Sequence, residues 1–506
     1  MTKKSIFLYF FLVLKLVLPL LLINTVYDLH RDEFLYLDQA KHLSWGYYSV
    51  PPVTSMFSWI IFQLGNGVFW VKFFPAVFGA LTLVVIWKTI ELLYGGLFAL
   101  SLGSVAVIFS AITRINILFQ PNSLDILCWT FFYFSIANYI KKETKIWLFY
   151  MSLIFALGFL NKYNMVFLVL GIIPATILSS HRNIFKNTVF SNMLILALLL
   201  ISPNLIWQFQ HNFPFIHHLK KLLETQLVYV NRVDFLKEQL LYFIGSIFII
   251  IAALMSFFTY SPFYRYKIFF RSFIFTLLLF IIFKAKGYYA IGLYPILLAF
   301  GSVFIEKILS NGWKYQLRPI AIALPIVAFI PFLKIAFPIH SPANMQQNIK
   351  SFGDIGLLRW EDGKNHTLPQ DFADMLGWKE LAAKVDSASS IINDTYNTII
   401  LCDNYGQAGA VNYYTKFKNV PAFCMEGDYY TWFKQYKKEI KNIVLVKTDA
   451  AEINLENEKK FFKTIIPFSK IENTYAREQG TSIYILKDIT SGKSLKDYLI
   501  EENKPH

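Results

Sequence analysis

The run Ser5-Ile6-Phe7-Leu8-Tyr9-Phe10-Phe11-Leu12-Val13-Leu14-Lys15-Leu16-Val17-Leu18-Pro19-Leu20-Leu21-Leu22-Ile23, followed at once by Asn24-Thr25-Val26-Tyr27-Asp28, decides the fold. It matches one bilayer crossing, which takes roughly 20 mostly apolar residues. Lys3-Lys4 precede it, as basic residues precede secretory signals. A cleaved signal has an apolar core of only about 7–15 residues, with a small-residue cleavage site behind it. The run is longer and no such site follows. It reads as a retained anchor with its N-terminus in the cytoplasm.

Outward from this run the same pattern repeats. Of 506 residues, 55% are hydrophobic and only 16% are charged, against about 25% charged in soluble domains. Aromatics reach 18%, with 50 Phe and 29 Tyr. Span-like apolar runs lie at 5–26, 68–92, 97–112, 123–140, 189–207, 236–258, 268–283, 288–305 and 319–337. The run 146–179 splits into two at Asn161-Lys162-Tyr163-Asn164. The sum is about 11 spans, with about 13 as the outer count. Lys141-Lys142-Glu143-Thr144-Lys145, Arg265-Tyr266-Lys267 and the trio Lys307, Lys314 and Arg318 fall on one side. The positive-inside rule makes that side cytoplasmic. Part of the net charge of +15 therefore belongs to topology and anionic head groups. No basic stretch interleaved with aromatics on a polar background points to nucleic acid.

An odd span count puts the C-terminus outside. After about residue 340 charged residues, Asn and Gly become frequent. Short β-branched runs at 398–401, 443–446 and 482–486 alternate with a helical stretch at 377–387. The expected architecture is a polytopic α-helical membrane domain over 1–339, then a soluble extracytoplasmic α/β domain over 340–506. Cys128 lies in an apolar run as a packing residue. Cys402 and Cys424 lie in the distal domain, where pairing as a disulfide and staying free are both open. No internal repeat is visible, which weighs against a two-halved transporter.

The external loop 27–67 carries the chemistry. It contains Arg31-Asp32-Glu33-Phe34-Leu35-Tyr36-Leu37-Asp38-Gln39-Ala40 and ends near Pro51-Pro52. Two adjacent carboxylates at a water–membrane boundary suit a general base or a hard-metal ligand. The plainer reading is that Asp32 and Glu33 open and cap a short helix. Asp125 lies just inside a span, where a carboxylate is costly and tends to face a cavity; its plainer role is at the helix N-terminus. Arg114, Lys162, Lys284 and Lys286 fall at the same external face, where cations can clamp a phosphate or snorkel to head groups. His211, His217 and His218 share the loop after residue 207; adjacent histidines are poor co-ligands from a regular element. The metal candidates are Asp32, Glu33 and His211, for a divalent ion. No P-loop, dinucleotide fingerprint, zinc-protease helix or nucleophile elbow is visible.

In their order along the chain, Asp32-Glu33, Gly46-Tyr47, Pro51-Pro52 and Pro121-Asn122-Ser123-Leu124-Asp125 resemble the GT-C membrane glycosyltransferases. So do Gly158-Phe159-Leu160-Asn161-Lys162-Tyr163, Lys286-Gly287-Tyr288-Tyr289 and Asn404-Tyr405-Gly406-Gln407-Ala408-Gly409-Ala410. The pattern looks like that of the bacterial relatives of dolichyl-phosphate-mannose protein mannosyltransferases and lipid A aminoarabinose transferases. The resemblance implies a bacterial inner-membrane enzyme. It would move a sugar from a polyprenyl-phosphate carrier to a glycolipid, glycan or protein hydroxyl, with inversion, at the external face. It assigns the first-loop acid to Asp32, with Glu33 beside it, and a second acidic position to Asp125. In one departure, Val50 precedes the double proline where relatives often carry a charged residue or His. Two other classes stay open: a lipid-linked sugar flippase and a non-catalytic envelope assembly protein. Intramembrane charge concentrated near the external ends favours the enzyme.

Overall fold

The computed structural model describes residues 2–350, 357–448, 455–490 and 492–502. The chain divides into two compact units. The first comprises Met1–Ile23, Val50–Thr54 and Gly67–Ile339; the second comprises Asn24–Ser49, Ser55–Asn66 and His340–His506. Most of the first external stretch thus belongs, by its contacts, with the C-terminal part of the chain. A boundary drawn at 339/340 from composition alone separates the two.

The first unit is helical throughout, as a chain in lipid must be to satisfy its own backbone polar groups. Among the described residues, five helices are long and apolar enough to cross a membrane: Lys3–Leu21, Val68–Leu92, Thr188–Gln210, Gly287–Ile308 and Gly312–Ala336. The pair Arg232–Leu241 and Ile244–Thr259 passes the same test together but is bent by 67°, where one straight span was expected at 236–258. Shorter apolar helices include Leu97–Ile108, Ile146–Asn161 and Met165–Ile177. The last two meet at the expected break after Asn161. Gly301 lets two helices touch, since a Cβ there would run into the backbone of Ile249. The stretch 208–235 is more than a polar loop. Pro214–Thr225 is a helix that exposes Ile216, Leu219 and Leu223 beside its charged residues, the pattern of a helix lying in a membrane interface.

The second unit is built on a five-stranded mixed sheet. Its strands are β1 (Thr398–Cys402), β2 (Ala422–Cys424), β3 (Asn442–Lys447), β4 (Phe462–Lys470) and β5 (Ser482–Ile489), in the order β2-β1-β3-β5-β4. β1 runs parallel to β2 and β3, whereas β5 runs antiparallel to β3 and β4. β1, β3 and β5 are the three runs expected from the sequence. β2 is too short and β4 too interrupted by Lys and Pro to show a clear period. Cys402 pairs in register with Cys424, and both are buried and not joined as a disulfide.

Candidate functional site

The acidic motif opens the helix Arg31–Asp38 in the second unit. His30 is its N-cap. The Asp32 amide donates to His30 Nδ1 (3.2 Å), and the His30 amide donates back to Glu33 Oε2 (2.7 Å). This reciprocal box satisfies donors that every helix start leaves open. Glu33 is fully buried in it. The two carboxylates thus have different surroundings. Glu33 points into the fold, whereas Asp32 is half-buried and accepts a 2.8 Å hydrogen bond from the Tyr405 hydroxyl.

Tyr405 begins the helix Tyr405–Tyr414, capped by Asn404, whose side chain accepts from the Gly406 and Gln407 amides. A Cβ at Gly406 would meet Arg31 Cγ at 2.5 Å, and one at Gly409 would meet Phe34 Cβ at 2.8 Å. Both glycines therefore let this helix lie against Arg31–Asp38. That explains the glycine spacing in the 404–410 motif. The Arg31 guanidinium lies 4.1 Å from the Tyr405 ring centroid, a cation–π contact. Its amide donates to the Asp374 carbonyl (2.9 Å). Asp374 is buried and bonded to Arg477 Nη1 at 3.0 Å. Burial raises the Asp374 pKa, opposed by Arg477, His30 and Arg31. Burial likewise pushes the Tyr405 hydroxyl well above its usual range, so Tyr405 is a hydrogen-bond donor throughout ordinary pH. Asp28 caps a third element: its Oδ2 accepts from the Trp378 and Lys379 amides at 3.1 and 3.2 Å. Tyr405 and Asp374 were not singled out from sequence as neighbours of Asp32, because nothing local marks contacts across more than 300 residues.

In the first unit, Asp125 lies one turn inside the helix Pro121–Lys142. It is buried but does not cap. Its Oδ1 accepts from Trp129 Nε1 (3.0 Å) and its Oδ2 from Asn164 Nδ2 (2.9 Å). Asn164 also donates to the Tyr289 carbonyl (3.1 Å). Lys162 donates to Asn122 Oδ1 (2.7 Å) and lies 4.2 Å from the Tyr289 ring centroid. The turn 161–164 is therefore a hub. Asn161 holds Pro121 and Thr54, Lys162 presents a cation, and Asn164 orients the Asp125 carboxylate. A cation and an oriented carboxylate on rigid helix ends suit recognition of a phosphate and of a hydroxyl beside it.

The other expected residues are placed less centrally. Lys286 donates to Gln226 Oε1 (2.8 Å). Lys284 takes the left-handed conformation (φ 51°) just past the helix Lys267–Ile282. Arg114 ends the short helix Ala111–Ile115. Beside it, Thr113 accepts a 2.7 Å hydrogen bond from Lys15, a fully buried lysine in the first span. His211 stacks on Trp207 at 4.2 Å. Among the described residues, no three His, Cys, Asp or Glu side chains converge on one point.

Residues 49–207 match the family model described as dolichyl-phosphate-mannose-protein mannosyltransferase. Two solved structures share the fold nearly end to end. ArnT from Cupriavidus metallidurans in the apo state is 10% identical, covers 96% of this chain and 98% of its own, and has a TM-score of 0.64. The same protein bound to undecaprenyl phosphate gives 10% identity, the same coverages and a TM-score of 0.62. No curated protein matches the sequence. The chain has the GT-C fold, and the resemblance read from its motifs is borne out.

Proposed function

We propose that this chain, a multi-pass membrane protein of GT-C fold related to the mannosyltransferases, is an inverting glycosyltransferase. Its donor is a polyprenyl-phosphate-linked sugar. Its acceptor is a hydroxyl of a glycolipid, glycan or protein at the external face of the bacterial inner membrane. The observation that carries this reading is the mannosyltransferase match over 49–207, the segment holding the Asp125–Asn164–Lys162 hub.

The chemistry follows from the residues. The acceptor oxygen forms a bond to the anomeric carbon as the bond to the phosphate oxygen breaks. The bonding pair leaves with the polyprenyl phosphate. Lys162, assisted by Arg114, Lys284 and Lys286, offsets the charge that develops there. The acceptor proton goes to a carboxylate, a role the motif assigns to Asp32, which Tyr405 orients within its own unit. Single displacement inverts the anomeric centre. A divalent ion would be held by the Asp32 side. Among the described residues no three His, Cys, Asp or Glu side chains converge beside it, so the residues present do not make a complete metal site.

The test is Asp32→Asn in the full chain, with mass spectrometry of envelope glycolipids and glycoproteins. Transfer should fall by about 10²–10⁴-fold, with folding and lipid binding kept. Unchanged transfer sinks the assignment. Movement of the lipid-linked sugar across the bilayer without transfer would favour a flippase.

A further inference from the structure

A second feature of the soluble unit lies away from Asp32. A cleft of about 500 Å³ opens between the end of the first-loop helix and the β2 edge of the sheet. Lys41, Lys418, Lys437 and Lys438 line it, together with His42 and Trp432. All four lysines are exposed. The one carboxylate among its described lining residues is Asp38, and that acid is buried and already engaged. Its Oδ2 accepts from Asn412 Nδ2 (2.5 Å) and the Tyr429 hydroxyl (3.0 Å), and its Oδ1 lies 3.4 Å from Lys41. The cleft therefore keeps an excess of positive charge. Partial burial, then neighbouring Lys41, lower the pKa of the Lys418 amine, opposed by Asp386 and Asp38.

The cleft also has a flat wall. The His42 ring stacks on the Trp432 indole at 4.1 Å with an interplanar angle of 14°. Burial lowers the His42 pKa and favours the neutral ring, opposed by Asp38. Tyr429 packs edge-on against Trp432 at 4.7 Å. A rigid aromatic plate beside several ammonium groups matches a ligand with one apolar ring face and a negative substituent.

We propose that this cleft binds an anionic saccharide, a sugar ring bearing a phosphate or carboxylate. The ring lies on His42, and the negative group is held by Lys41, Lys437 and Lys438. A bare polyanion would not need the plate, and a neutral sugar would not need the lysines. That the occupant is part of the acceptor rests on the transfer reaction proposed above; binding itself does not.

The experiment is equilibrium titration of the full chain in detergent, without donor, followed by tryptophan fluorescence and calorimetry. Glucose 6-phosphate should bind saturably, while glucose at equal concentration should not. The triple variant Lys41→Ala, Lys437→Ala, Lys438→Ala should weaken binding at least about tenfold, with an unchanged melting temperature because these side chains are exposed. His42→Ala should weaken glucose 6-phosphate while leaving inorganic phosphate untouched. A nanodisc arm separates the two sources of the same chemistry. Competition by a phosphorylated glycolipid but not by phosphatidylglycerol supports a saccharide headgroup, and competition by the soluble sugar phosphate alone supports a free glycan. Equal binding to wild type and triple variant overturns the proposal. So does binding of anionic vesicles with no response to any sugar, which would make the lysines a membrane-docking patch. Loss of transfer in Asp32→Asn with this binding intact keeps the two readings separate.

Discussion

Replacing each member of the acidic pair in turn should separate a catalytic carboxylate from a structural one. Glu33 is fully buried and closes the capping box on the His30 amide at 2.7 Å. A hydrogen bond to a charged group is worth about 1.5–3 kcal/mol, and one between neutral groups about 0.5–1.5 kcal/mol. Glu33→Gln keeps an acceptor of the same reach and should cost about 1 kcal/mol. Glu33→Ala removes the acceptor, leaves the amide open and empties the site, and should cost about 3 kcal/mol. For a unit of this size each kcal/mol moves Tm by about 2–4 °C. The expected drops are thus about 2–4 °C for Gln and about 6–12 °C for Ala, read by intrinsic-fluorescence melting of the purified full chain. Glycosyl transfer by Glu33→Gln below its melting point should stay within about threefold of wild type, because the helix start is preserved. Asp32→Asn should do the reverse, keeping Tm and losing transfer. If Glu33→Gln loses transfer as completely as Asp32→Asn with Tm unchanged, Glu33 belongs to the chemistry and the capping argument fails.

Other outcomes are equally specific. Lys162→Met removes a cation held by Asn122 and Tyr289, so the donor KM should rise by about tenfold or more, with partial recovery in Lys162→Arg, in steady-state kinetics with a short-chain donor. Gly409→Ala puts a Cβ 2.8 Å from Phe34 Cβ and from the Tyr429 hydroxyl and should cost about 1–3 kcal/mol by overpacking, seen as a lower melting temperature. Asp428 is buried; burial raises its pKa to about 6 even though the Tyr48 amide and the Gln39 side chain donate to it. Between about pH 4 and 6 the folded state then holds a proton that the unfolded chain has lost, so this group's stability contribution falls as pH rises through that window, by about 3 kcal/mol in all. Denaturant midpoints against pH should show that slope, and Asp428→Asn should flatten it.

The membrane part of the fold was legible because lipid imposes one strong rule. A span must be apolar for its whole length, and the helix Val68–Leu92 follows that run residue for residue. The break before Met165 was visible for the same reason, since Asn161, Lys162 and Asn164 interrupt an apolar run. The bend between Leu241 and Ile244 was not, because apolarity continues through it. In the second unit, β-branched runs revealed three strands, whereas β2 has only three residues and offers no such run. At the site, Asp32, Asp125 and Lys162 stood out as charges near apolar runs. Asn164 looked like turn chemistry, and its hold on Asp125 is a contact between helix ends. Lys15 hid inside the opening run, and only its bond to Thr113 shows how a lysine is housed there.

The union of the first external stretch with the C-terminal residues bears on synthesis. Asp32 and the tyrosine that orients it are 373 residues apart. At about 5–20 residues per second, Asp32 leaves the ribosome about 20–75 s before Tyr405 exists. For that interval the helix beginning at Arg31 has neither its glycine-faced neighbour nor the Asp374 carbonyl beneath it. The nascent stretch waits, tethered at both ends by helices already made, until residues 374–414 supply what it packs against. A ribosome stalled before Tyr405 would release a chain with its membrane helices complete and its acid unoriented. Residues made late complete a helix made early.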